Sequence, residues 1–109
     1  MAYEVVMRKI RFGIEIDAIM CLNDDMVVGV NRVLHELGVR IPDDIALVGC
    51  DDVVISEYLH PSHSTIEHPS TRVCSLAWEF LHNRIQNPDE PAQQVILAAR
   101  FIPRASTEG

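Results

Sequence analysis

The sequence predicts an α/β fold with a mainly parallel sheet and helices on both faces. Three observations carry this reading. Asp17-Ala18-Ile19-Met20-Cys21-Leu22 and Ile45-Ala46-Leu47-Val48 are short, continuous apolar runs rather than alternating ones, as in strands buried on both faces. Segments with helical spacing separate such runs, giving the order α-β-α-β-α-β-α-β, which calls for crossover helices and parallel strands. Each of the first three runs also stops at polar residues that open the next helix: Asn23-Asp24, Asp51-Asp52 and Glu67-His68.

Ala2 to Phe12 reads as a helix, because Tyr3, Val6, Met7 and Ile10 fall on one stripe and Gly13 supplies the stop. No capping residue precedes Ala2, so the chain is expected to enter this element part-way. After the run at Asp17–Leu22, Asn23 or Asp24 can cap a helix reaching Leu37, with Val27, Val30, Leu34 and Leu37 inward and acidic residues in its first turn. Its outer face, Val28, Asn31, Arg32 and His35, is either plain surface or a subunit contact. Pro42 forces an extended lead into the central strand. Val53 to Leu59 is expected as a short helix, His60 to His63 as a turn, and Ser64 to Glu67 as a third strand. The longest helix follows Pro69, with Val73, Leu76, Ala77, Phe80 and Ile85 on one face. Cys74, Trp78 and Leu81 widen that face, which implies deep burial or contact with a second body. Asn87-Pro88 ends it before an exposed acidic loop. Val95–Leu97 and Phe101-Ile102 are expected as short strands, and Ser106 to Gly109 as a frayed tail.

A formal charge of −7 argues against a nucleic-acid surface, and 48% hydrophobic residues demand a packed core. No apolar run is long enough to span a bilayer. Cys21, Cys50 and Cys74 are odd in number, widely spaced and set among apolar residues. They read as buried free thiols of a cytosolic protein, not a disulfide or zinc set.

In an open α/β sheet, ligands gather outside the carboxyl ends of the strands. Asp51 or Asp52 could simply cap the helix that follows. The convergence of Asn23, Asp51 and His68 on one sheet edge instead favours Asp51 as a contact for a small polar ligand. Asn donates and accepts, Asp accepts from hydroxyls, and His does either. His60, His63 and His68 lack a matching cysteine or carboxylate pattern, so no metal is expected. There is no Gly-x-Ser-x-Gly elbow and no nucleotide-binding glycine loop. Neither a cofactor nor enzymatic activity is therefore expected.

Several stretches together resemble the LacI/GalR bacterial transcription regulators: Asn23-Asp24-Asp25-Met26-Val27-Val28-Gly29, Leu37-Gly38-Val39-Arg40-Ile41-Pro42-Asp43-Asp44-Ile45, Val48-Gly49-Cys50-Asp51-Asp52, Pro61-Ser62-His63-Ser64-Thr65-Ile66 and Arg104-Ala105-Ser106-Thr107. The resemblance covers nearly the whole chain. It implies one lobe of a sensor domain like the type I periplasmic sugar-binding proteins. Residues 1–109 would be part of the C-terminal subdomain, with the DNA-binding head and the N-terminal lobe missing. It further implies a cytoplasmic regulator that binds a sugar or purine-like effector, forms a homodimer and reaches DNA only through its missing head. By the same resemblance, Asn23, Asp51 and His68 face the effector. The dimer face falls on Val28, Asn31, Arg32 and His35 of one helix and Ile55, Tyr58 and Leu59 of another. The alternative is a periplasmic-type sugar-binding protein of a transport system. The sequence departs from the family pattern at Cys50, usually aromatic, at His63-Ser64, usually Leu-Thr, and at Ser70, sometimes aromatic.

Overall fold

A computed structural model describes residues 2–108. In chain order the elements are α1 (Ala2–Arg11), β1 (Ala18–Met20), α2 (Asp24–Glu36), β2 (Ala46–Val48), α3 (Ile55–Tyr58), β3 (Thr65–Glu67), α4 (Ser70–Gln86) and β4 (Arg100–Ile102). They divide into two units. The first runs to Glu67 and resumes at Arg100; the second is His68–Ala99.

The first unit holds the strands. β1 and β2 are parallel, with Ala18 opposite Ala46, Ile19 opposite Leu47 and Met20 opposite Val48. Beyond β2 the ladder continues onto β3 in the parallel sense. The Gly49 N–H donates to the Ser64 carbonyl (2.9 Å), the Ile66 N–H to the Gly49 carbonyl (3.2 Å) and the Asp51 N–H to the Ile66 carbonyl (2.9 Å). β4 then pairs with β3 in the antiparallel sense, Glu67 opposite Arg100. Leu47 is fully buried at the centre, as a central apolar strand requires.

The core gathers Cys21, Val27, Val30, Leu34, Ile45 and Leu47, with Val6 and Ile10 of α1 and Ile16, Ile19, Val39 and Ile41 packed against it. The α2 residues come from one stripe at helical spacing, so a single face is removed from water. Gly38 ends this helix at a φ of +70°, a conformation a side chain disfavours, while the Val39 N–H closes back on the Leu34 carbonyl at 2.9 Å.

Four expectations are corrected. The helix expected from Val53 to Leu59 is a single turn, Ile55–Tyr58. Among the described residues, Val95–Leu97 form no strand. Ile96 is 89% exposed, and Val95 and Leu97 line a groove beside Val73, Ala77 and Phe80 of α4, so no neighbouring strand satisfies the backbone there. The tail is not frayed at Ser106, which is wholly buried: its N–H donates to the Ser62 carbonyl (2.9 Å), its carbonyl accepts from Leu47 (3.0 Å) and its Oγ accepts from the Ser64 N–H (2.8 Å). Gly109 lies outside the described residues. All three cysteines are free thiols, but only Cys21 is buried; Cys50 is half-buried and Cys74 exposed. Cys74 sits on α4, whose wide apolar face is not deeply buried: Trp78 is 70% and Ile85 65% exposed.

Candidate ligand-binding site

Asn23 and Asp51 occupy equivalent positions. Each stands three residues past the end of its strand, and those ends, Met20 and Val48, are register partners in β1 and β2. The two side chains are thereby assigned to the same edge of the parallel pair. Asn23 is also the N-cap of α2: its backbone is extended, and its Oδ1 accepts from the Met26 N–H at 2.9 Å. Its amide NH2 has no protein partner among the described residues.

Asp51 is exposed, and both it and Asp52 adopt positive φ, 104° and 51°. Such backbone is costly outside glycine and persists only where its surroundings fix it. The fixing groups are visible. The Asp51 N–H is held by Ile66, and the Asp52 N–H donates to Thr65 Oγ1 (3.2 Å). The Asp52 Oδ1 accepts from Arg104 Nη2 (2.7 Å), and the same nitrogen reaches Glu57 Oε1 (3.2 Å). The simpler reading of the acidic pair, a cap on α3, does not hold. Val54 occupies the cap position without a side-chain hydrogen bond.

What holds the edge together is Asp24, 1% exposed. Its Oδ2 accepts from the Val53 N–H (2.9 Å) and Ser56 Oγ (3.0 Å), and its Oδ1 accepts from Thr65 Oγ1 (2.9 Å). One carboxyl group thus ties the start of α2 to the segment before α3, to α3 and to β3. Thr65 passes that restraint on to Asp52. Gly49 leaves the room: a Cβ there would lie 1.9 Å from Asp24 Oδ1. Burial also pushes the Cys21 thiol up to about 11, with Asp24 adding to the effect, so Cys21 is an inert packing residue here.

The sequence singles out Asn23 and Asp51 as candidate contacts but offers Asp24 only as a possible cap. The clue was the hydroxyl pair Ser56 and Thr65, whose partner is remote in sequence. His68 opens the second unit, directly after β3, and is exposed. On the opposite side of α2, Val28, Asn31, Arg32 and His35 line a groove shared with Val39, Ile41 and His60. Arg32 is paired there with Glu36 (2.6 Å), and Tyr3 also bonds Glu36; together they hold the Glu36 carboxyl below the usual carboxylate range. Ile55 and Tyr58 are 52% and 79% exposed, and Leu59 is half-buried.

The model of the periplasmic binding protein-like domain family matches residues 3–107. The chain belongs to this family. Similar curated proteins include the ribose operon repressor of Haemophilus influenzae, 36% identical over 89 residues, which cover 82% of this chain and 27% of the repressor. The HTH-type transcriptional repressor PurR of Vibrio vulnificus is 40% identical over 72 residues, covering 66% of this chain and 22% of that protein. Among solved structures, a LacI family transcriptional regulator from Arthrobacter sp. FB24 in complex with lactose aligns at a TM-score of 0.86 and 33% identity, over 98% of this chain and 40% of that one. A LacI family regulator from Enterococcus faecium with bound ribose aligns at 0.82 and 29%, over 97% and 39%. This periplasmic-binding-protein-like chain therefore spans about a quarter of the length of the curated relatives it matches, 27% for the ribose repressor.

Proposed function

We propose that this chain is the effector-sensing part of a cytoplasmic LacI/GalR-type transcriptional regulator. It represents part of the C-terminal subdomain, and DNA is bound by a head outside these residues. The observation that carries the reading is the equivalent placement of Asn23 and Asp51 past the ends of paired parallel strands, with the Asp51–Asp52 backbone locked by the Asp24 network. An amide and a carboxylate on a pre-formed edge suit a ligand rich in hydroxyl or N–H groups. His68 completes the set in this reading. The relatives support it: they are named as repressors, and two similar regulators hold lactose or ribose. The effector class is a sugar or a purine-like metabolite.

No bond is made or broken in this mechanism. The effector binds one arrangement of the regulator better than another and shifts their balance by that difference in affinity. The change reaches DNA through a homodimer whose contact face is Val28, Asn31, Arg32 and His35 of α2 with Ile55, Tyr58 and Leu59 of α3. The exposure of Val28, Arg32, His35, Ile55 and Tyr58 and the groove along α2 support that choice.

The test is thermal-shift screening of the full-length protein against sugars, nucleosides and purine bases. A stabilising hit is expected, and Asp51→Ala should remove it, with the ligand-free melting temperature of the variant as the folding control. A shift that persists undiminished in Asp51→Ala would sink the site assignment. Turnover of the hit compound by the wild-type protein would sink the non-catalytic reading.

A further inference from the structure

His63 stands in the segment that leads into β3, and its side chain is wholly buried, at 0% exposure. Neither Nδ1 nor Nε2 has a hydrogen-bond partner among the described residues, an uncommon state for a buried ring that carries one donor and one acceptor even when neutral. The backbone on either side of the ring is tied down. The His63 N–H donates to the Ser56 carbonyl of α3 (2.8 Å), and the His63 carbonyl accepts from Arg104 Nη1 (3.0 Å). The segment that carries the ring is thus bound both to α3 and to the segment after β4.

We infer that His63 is an acid trigger inside the first unit: a proton taken up there expels the ring and loosens the packing of α3 and the Arg104–Ser106 segment around β3. The imidazolium would need two acceptors, and the site provides none ready-made. From α2, Asp24 attracts the cation, but its oxygens already accept from Val53, Ser56 and Thr65. From the segment after β4 comes the Arg104 guanidinium, a like charge, already paired with Asp52 and with Glu57 of α3. Burial outweighs the pull of Asp24 and holds the ring below the usual histidine range.

The direction of the effect follows from linkage. The unfolded chain takes up this proton near the ordinary value of about 6.5, while the folded chain resists it to lower pH. Stability from His63 is therefore complete above about pH 6.5 and is lost as pH falls below it, by up to about tenfold in the folded-to-unfolded ratio per pH unit.

The test compares the full-length wild type with His63→Leu and His63→Gln by thermal unfolding between about pH 7.5 and about pH 5.5. Neither replacement can protonate, so a loss of folding in one leaves the other informative. The wild-type melting temperature should fall more steeply on acidification than that of whichever variant folds. Ring-nitrogen NMR of the wild type should show His63 neutral well below the midpoint of an exposed histidine, which also decides the matter if neither variant folds. An unchanged slope in a folded variant, or a His63 midpoint at or above about 6.5, overturns the inference.

Discussion

At the scale of single residues, the edge depends on Asp24 more than on the residues that would touch a ligand. Asp24→Ala would strand the Val53 N–H and the Ser56 and Thr65 hydroxyls in the interior. Leaving buried donors unmet costs about 3 kcal/mol, so the midpoint of urea unfolding should fall clearly. Gly49→Ala puts a methyl group 1.9 Å from the same carboxyl oxygen. The buried Val27 Cγ2 at 2.8 Å and a carboxyl fixed by its hydrogen bonds leave little room to yield, and a loss of about 2 kcal/mol is expected in the same measurement. Asn23 was legible in the sequence because a cap reaches only three residues ahead, to Met26. Asp24 was not, because its side-chain donors Ser56 and Thr65 stand 32 and 41 residues away. Local spacing shows that a hydroxyl is present but not which carboxyl it will find. His63 was hidden for the same reason: a histidine beside Pro61 and Ser62 reads as turn chemistry until tertiary packing closes over it.

At the scale of elements, α2, β1 and β2 were predictable because each carries its own apolar run and its own stop, but β1 is not buried as its run suggests: Met20 is 66% exposed. β4 is a different case. A short Phe-Ile pair suggested a strand, but its antiparallel sense comes from its partner β3, not from any local pattern. The spacing of α4 shows which residues share a face, while the burial of that face depends on what lies against it. The C-terminal segment shows how a few hydrogen bonds override composition. Ser106 and Thr107 look like tail residues, yet Ser106 bonds Leu47 and Ser64, and Thr107 Oγ1 lies 2.6 Å from Ser64 Oγ. Ser106→Ala should cost about 1–2 kcal/mol and speed hydrogen exchange at the neighbouring Leu47 and Ser64 amides. Unchanged exchange at both amides would count against this clasp.

At the scale of the whole molecule, the regulator reading makes the outer faces of α2 and α3 a self-complementary surface. Val28→Glu with Tyr58→Glu introduces like charges at two exposed positions, 41% and 79% accessible, where folding should tolerate them. Sedimentation should show the full-length wild type as a dimer and the double variant as a monomer, with the melting temperature of the effector-free variant serving as the folding control. A dimer of unchanged affinity would move the interface elsewhere. The fold class and the family resemblance were legible because they rest on several independent stretches in fixed order. The division into two units was not, because nothing in the composition around Glu67-His68 or Ala99-Arg100 marks a boundary.

That boundary lies on one rung of a ladder: Glu67, where the chain leaves the first unit, is the register partner of Arg100, where it returns, and Arg100 Nη2 meets Glu67 Oε2 at 2.7 Å. The spacing of an antiparallel pair is what a tight two-residue hairpin turn bridges. Grafting Asn-Gly between these two residues would therefore turn a long excursion into a simple hairpin. The strand-bearing unit would become a continuous, shorter chain in which the edge bearing Asn23 and Asp51 can be studied on its own.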